Sequence, residues 1–193
     1  RELALEAALV CADGAVIIDP ITSKVLRLYA LGPLVAMQVI ENFRAHALAP
    51  FAFTHDAVHG QAGDIERFSF LSGWTSTLTA CADLDRLVTG RPPLGAITLI
   101  GVGAQKEANQ SRDMLAQAPG APFDLDLFPI ETTNHWVVRT SPEGCTKALG
   151  LKHLAEMLGI VPRDVAAVGD WYNDLDTVSY THLRAHETKA NLV

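Results

Sequence analysis

The sequence predicts an α/β protein in which a mixed α+β unit is inserted between stretches of alternating strand and helix. Three observations carry that expectation. Short apolar runs bounded by Gly, Pro and Asp, such as residues 96–102 and 165–168, read as buried strands. Between such runs lie segments with apolar residues three and four apart, which read as amphipathic helices. The middle of the chain, about 34 to 139, orders these as helix, strand, strand, helix, strand, helix, strand, strand, enough for a small core of its own.

The first elements are a strand, a tight turn at Asp13-Gly14 and a second strand over 9–18, since Asp-Gly between apolar runs is a strong hairpin signal. Residues 24–31 alternate and read as a further strand. Pro33 suits the first turn of a helix, and Leu34, Met37, Ile40 and Phe43 give helical spacing through 47. Residues 50–54 read as a strand, 55–64 as a polar loop, 66–71 as a strand and 73–88 as a helix. Gly90-Arg91-Pro92-Pro93 breaks that helix. A buried strand at 96–102, an amphipathic helix at 106–117 and two strands at 123–130 and 135–139 complete the middle section. A loop then leads to a helix that Thr146 caps and Gly159 ends, with Ala148, Leu151, Leu154 and Leu158 on one face. Beyond Thr177 neither helical nor strand periodicity continues, and the terminus reads as frayed.

Composition bounds the partners. The chain has 193 residues, 49% hydrophobic and 19% charged, so one full domain or two small ones can bury a core. Lys plus Arg number 15 against 22 Asp plus Glu, a net charge of −7. That balance argues against nucleic acid or an anionic membrane surface as the main partner. It leaves room for a phosphorylated small molecule if a cation bridges the charge. Cys11, Cys81 and Cys145 are an odd number, widely spaced and without a CxxC pair, so they read as buried, reduced thiols of a cytoplasmic protein. No stretch approaches the ~18 to 20 apolar residues of a membrane span, and no signal-peptide pattern is present. A monomer or weak homodimer is expected.

The chemistry concentrates in 165–176. An apolar run ends at Gly169, and Asp170, Asn173, Asp174 and Asp176 follow within seven residues. Ligands of α/β proteins bind outside the carboxyl ends of such strands, and hard oxygen donors there suit Mg²⁺. Taken alone, Gly-Asp reads more readily as a polar turn after a core strand. The spacing is not that of a calcium loop. His55, Asp56 and His59, with Asp64 nearby, would suit zinc only on a helix, and the loop reading is preferred. Trp74, Phe128 and Trp136 read as core of the middle unit, and Arg91 as an exposed loop arginine.

Two motifs stand in order: Gly144-Cys145-Thr146-Lys147 opening a helix, and Gly169-Asp170-Trp171-Tyr172-Asn173-Asp174 about 23 residues on. This pair resembles the last two motifs of the haloacid dehalogenase (HAD) superfamily, and most closely its Cof-type phosphatases with an α/β, C2-type cap. Asp13-Gly14-Ala15 followed by Ile17-Ile18-Asp19 is similar to the family's Asn-Gly-Ala turn, with Asp for the usual Asn. The resemblance covers about 9 to 177. It implies a partial Rossmann-like HAD core, 1–30 and 140–177, with an inserted α+β cap at 31–139. It also implies Mg²⁺-dependent hydrolysis of phosphate monoesters, sugar or cofactor phosphates, through an aspartyl-phosphate. On that reading Lys147 and Asn173 are catalytic. Lys147 offsets the charge of the nucleophile and phosphoryl group, and Asn173 orients phosphate or Asp170. Asp170 and Asp174 serve the metal, Asp174 as an outer ligand or as an acceptor for Lys147. His55, Asp56 and His59 fall in the cap, where residues select the leaving group.

The sequence also departs from the family. Its Asp-x-Asp-Gly nucleophile motif and the following Ser/Thr motif do not occur, and Cys11 stands where the Asp13-Gly14 pair would need the nucleophile. The chain is therefore expected to begin downstream of the native start and to be inactive as it stands. Residues 178–193 resemble translated adapter read-through and are expected to be non-native, so His182 and His186 are not read as a metal pair. A reading of another class, a non-catalytic α+β ligand-binding or interaction module, fits the same composition.

Overall fold

A computed structural model describes residues 7–75, 77–90, 95–118, 120–167 and 175–180, with the backbone alone for 175, 176 and 180. Asp170, Asn173, Asp174 and Arg91 lie outside the described residues. The chain divides into two compact units, Arg1–Arg27 with Cys145–Val193, and Leu28–Gly144.

The first unit opens with β1 (Leu9–Cys11) and β2 (Val16–Ile18), an antiparallel pair in which Cys11 faces Val16 and Leu9 faces Ile18. A 3-10 turn, Ala12–Gly14, joins them. β3 (Val25–Leu28) completes a sheet of order β1-β2-β3.

The second unit starts with α1 (Pro33–Ala45), with Pro33 in its first turn and Val39, Ile40 and Phe43 fully buried. It continues with β4 (Ala49–Phe53), β5 (Val58–Gly60), α2 (Ala62–Arg67) and a 3-10 turn at Ser69–Gly73. Then come β6 (Leu78–Ala80), α3 (Leu84–Thr89), β7 (Thr98–Gly103), α4 (Gln105–Ala116), β8 (Phe123–Pro129) and β9 (Trp136–Pro142). The six strands form one mixed sheet of order β6-β5-β4-β7-β9-β8, in which only β5 and β6 run parallel. Both faces are covered. Leu99 and Val138 meet α1, α3 and α4 through Val39, Phe43, Leu84 and Ala108. Ile100 and Val137 meet Phe68 and Leu71 on the other side. Burial on both faces explains why β7 is a continuous apolar run rather than an alternating one.

The chain returns to the first unit with α5 (Lys147–Leu158), a 3-10 turn at Pro162–Asp164 and α6 (Leu175–Tyr180). Gly159 ends α5 at φ 68°, as the sequence expects.

Several expected elements are replaced. Residues 55–64 are not all loop, because β5 forms there from a ladder on each side, to β4 and to β6. Residues 66–71 are not a strand. Ile65, Phe68 and Leu71 fall three apart, and that helical spacing turns them together into the second core. The helix expected over 73–88 is interrupted by β6, and α3 starts only where the Asp83 carboxylate accepts the Arg86 N–H at 2.9 Å. Residues 165–167 have no strand ladder among the described residues, so the strand expected at 165–168 is absent over that part. The helix α6 runs past Thr177, where no periodicity was expected.

Candidate functional site

The described part of the site lies in the first unit, where α5 begins. Thr146 is extended, φ −123° and ψ 162°, and its hydroxyl accepts the Leu149 N–H at 3.2 Å. That cap makes Lys147 the first helical residue and leaves the remaining first-turn N–H groups at the positive end of the helix dipole. No acidic residue sits in that first turn.

Against it lies the turn between β1 and β2. Ala12 and Asp13 both have φ 50°, and Gly14 has φ 98°. Asp tolerates the left-handed region better than most side chains, whereas Gly14 is needed for space as well as for conformation. A Cβ there would fall inside the Thr146 carbonyl. A Cβ on Gly150, one turn along α5, would come within 2.7 Å of the Gly14 Cα. Two glycines thus let the turn rest directly on the helix. The docking brings the Asp13 carboxylate to 3.9 Å from the Lys147 ammonium. Both side chains are about one-third exposed, 38% and 35%, so the pair contributes at most about 1 kcal/mol to stability.

A cavity of about 480 Å³ opens here, lined by Cys11, Asp13, Gly14, Lys147 and Thr177 among others. The Thr177 hydroxyl is buried, with no hydrogen-bond partner among the described residues. A cationic side chain, a helix N-terminus and a hydroxyl around one hollow suit a small anion.

Of the residues expected from the sequence, Lys147 is at this cavity. Asp170, Asn173 and Asp174 are outside the described residues. Among the described residues no three His, Cys, Asp or Glu side chains come together as a metal cluster. That includes His55, Asp56 and His59. There the Thr54 hydroxyl donates to Asp56 Oδ1 at 2.7 Å, and His59 Nε2 lies 3.5 Å from Thr54 Oγ1. Burial holds the His59 imidazole below its usual range, against the opposing pull of Asp56. Asp64 instead lines a hollow of about 260 Å³ in the second unit, with Arg44 and Arg67. Trp74, expected in the core, is 47% exposed; it follows the 3-10 turn and meets Phe70 edge-to-face, ring centroids 5.3 Å apart. Trp136 and Phe128 do pack on the two cores. The three cysteines are free, but only Cys145 is buried; Cys11 ends an edge strand and is exposed. Sequence reasoning missed Asp13, taken only as a turn residue, and Thr177. The signal for Asp13 was its charge at a position where the resembling family carries Asn.

A capped lysine at a cavity in one unit, and a second unit built on a mixed sheet, define the class as an α/β protein of two compact units. The sequence model for haloacid dehalogenase-like hydrolases matches residues 1–184, and the chain belongs to that family. No curated protein matches the chain. Solved structures share the fold. One is a haloacid dehalogenase-like hydrolase from Bacteroides thetaiotaomicron, 20% identical, TM-score 0.73, covering 91% of this chain and 63% of that one. Another is a haloacid dehalogenase-like hydrolase from B. subtilis, 19% identical, TM-score 0.68, covering 92% and 67%. A third is BT1666 from Bacteroides thetaiotaomicron, a phosphatase of the HAD superfamily, 14% identical, TM-score 0.66, covering 91% and 60%. The chain thus spans 63% of the length of the first of these structures.

Proposed function

We propose that the chain is part of a Mg²⁺-dependent phosphatase for phosphate monoesters of small metabolites, sugar or cofactor phosphates. Residues 1–30 and 140–177 are its core, and 31–139 its cap. The observation that carries this reading is Lys147, set by the Thr146 cap at the cavity of about 480 Å³. A phosphate monoester is a dianion, and its attack by a carboxylate brings two negative groups together. Lys147 offsets that charge, and the first-turn N–H groups of α5 face the same anion. Asn173 orients the phosphate. Asp170 and Asp174 would supply hard carboxylate oxygens, the donor type Mg²⁺ takes. Bound there, Mg²⁺ supplies screening of the phosphoryl oxygens. The mixed-sheet unit with its own two cores acts as the cap that excludes water and selects the leaving group. Such a soluble-substrate enzyme needs no membrane or nucleic-acid partner, and a cytoplasmic monomer or weak homodimer fits it. No helix among the described residues is long and apolar enough to cross a membrane.

Asp-x-Asp-Gly occurs nowhere in the 193 residues, so no residue takes the nucleophile's part in this reading. The full chain incubated with an aryl phosphate and Mg²⁺ is expected to show no turnover above background. Metal-dependent hydrolysis that disappears in Asp170→Ala would refute that. Inorganic phosphate should bind the chain and weaken at least about fivefold in Lys147→Ala, the loss of roughly 1 kcal/mol. Unchanged binding in that variant removes the phosphatase reading. So would a parent coding sequence without Asp-x-Asp-Gly followed by Ser/Thr-Gly-Arg.

A further inference from the structure

We propose that the hollow of about 260 Å³ in the second unit binds a free amino acid with an aliphatic side chain, Arg67 taking its carboxylate and Asp64 its ammonium. The inference goes beyond the phosphatase reading and does not depend on it.

The walls are built locally. α1 ends in a hydrogen-bonded cap: the Leu48 N–H donates to the Phe43 carbonyl at 2.9 Å and the Ala47 N–H to the Arg44 carbonyl at 3.0 Å, with Ala47 at φ 56°. That cap turns the chain straight into β4, so Leu48, Ala49 and Pro50 give the hollow a buried, apolar floor. Arg44 stands on one side, its guanidinium donating to Asp85 Oδ2 of α3. α2 forms the other side. Its Asp64 and Ile65 N–H groups donate to the Gln61 carbonyl, which fixes the start of the helix. Gln61, Asp64 and Arg67 all line the hollow.

The charges select the ligand. Asp85 already offsets the charge of Arg44. Asp64 and Arg67 lie three apart on α2, where opposite charges commonly pair. Yet among the described residues neither makes an ion pair or a side-chain hydrogen bond. Arg67 is held elsewhere: its guanidinium lies over the Phe68 ring, 4.8 Å from the centroid, and Phe68 is fully buried. The planar fork keeps its N–H edge for a carboxylate. One positive and one negative group, unpaired with each other at one hollow, match a ligand that carries both charges. A simple anion would meet the Asp64 carboxylate, and a simple cation the Arg67 guanidinium. The Gln61 amide, which makes no cap bond, donates or accepts as the ligand requires. The volume lies below the roughly 300–1,000 Å³ of pockets for drug-sized ligands. It suits an amino acid rather than a nucleotide, and the floor offers an aliphatic side chain apolar surface to cover.

The test is an amide-shift titration of the full chain with L-leucine and with its two halves: isocaproate, which lacks the ammonium, and isoamylamine, which lacks the carboxylate. The amides of Leu48, Gln61 and Asp64 should move saturably, with a dissociation constant on the order of 1 mM for a ligand of so few atoms. Each half should bind at least about tenfold more weakly, having lost one charge-assisted contact. Arg67→Gln should weaken leucine binding at least about fivefold. Asp64→Asn should abolish the preference for leucine over isocaproate. The amides of Val137 and Val138, buried in the sheet, report that both variants keep the fold. No saturable shift by about 20 mM leucine, some twentyfold above the expected constant, would overturn the proposal. So would saturable shifts confined to other residues, or isocaproate binding as tightly as leucine. Those outcomes are read on the wild type and need no variant to fold. Leucine binding unchanged in Arg67→Gln overturns it as well. No phosphate is present, so the result stands apart from the phosphate-binding test of Lys147→Ala.

Discussion

Replacing Gly14 with Ala tests the docking on which the site depends, and Gly159→Ala provides its internal control. Both glycines have positive φ, 98° and 68°. An L side chain in that region costs roughly 1–2 kcal/mol. At Gly159 nothing lies within 4 Å of the added Cβ, so that cost is the whole expectation. At Gly14 the Cβ would meet the Thr146 carbonyl carbon at 2.7 Å and the Lys147 nitrogen at 3.2 Å. These are backbone atoms of a helix start, which cannot swing aside as a side chain does. Separating them requires α5 or the turn to shift, a further ~1–3 kcal/mol by analogy with overpacked sites. Gly14→Ala should therefore destabilise by about 2–5 kcal/mol, clearly more than the control. Urea unfolding of the full chain measures both, read as a change in midpoint at constant slope. The Leu149 amide, which the Thr146 hydroxyl accepts at 3.2 Å, should lose exchange protection in Gly14→Ala and keep it in Gly159→Ala. Equal destabilisation by the two substitutions would refute the close docking of turn on helix.

Three further expectations follow from the structure. His59 is buried on β5 and its imidazole is held below the usual range by that burial. Above the unfolded value of about 6.5 both states are neutral and its contribution is complete. As pH falls from there toward the lower folded value, only the unfolded state gains the proton, so stability declines by at most about 1.4 kcal/mol per pH unit. Chemical denaturation between pH 7 and 5 should show that slope, reduced in His59→Gln. Thr177→Val removes a buried hydroxyl without a partner among the described residues and should be neutral or stabilising by up to about 1 kcal/mol in thermal unfolding; clear destabilisation would show that the hydroxyl is satisfied. Residues 28–144 contain both large cores and, expressed alone, should unfold cooperatively, with Phe43→Ala costing about 3–5 kcal/mol by urea titration.

The legible part of the second unit is the part where each element carries its own period. The apolar run of β7 is long enough to declare a strand, and α1 and α4 each repeat apolar residues at helical spacing behind a clear start. Between 55 and 89 that fails for a physical reason. β5 and β6 are three residues each and owe their form to neighbours: β5 lies between β4 and β6, and no run so short announces itself. Gly60 reads as a loop signal, yet it is a glycine because the Phe51 ring occupies the space of its Cβ. Phe68 and Phe70 alternate as in a strand, whereas the burial of Phe68 and Leu71 follows the three-residue spacing of the helical turns. Tertiary packing overrides local pattern wherever the local pattern is shorter than one turn or two rungs.

The site was legible in proportion to how local its parts are. Lys147 could be read because its own neighbours fix it: Thr146 caps, Gly150 and Ala155 are buried on the inner face, and Gly159 ends the helix. The place of Asp13 at the cavity could not, because it arises from a distant pairing that only the Gly14–Thr146 and Gly150–Gly14 contacts create. A glycine pair is the trace such a pairing leaves in a sequence, and it is ambiguous until the partner backbone is known. The same logic orders the experiments. If the turn does not rest on α5, the shape of the cavity does not survive, whatever chemistry Lys147 performs. If it does, substitution at Gly14 should weaken phosphate binding without altering a single polar group in the cavity.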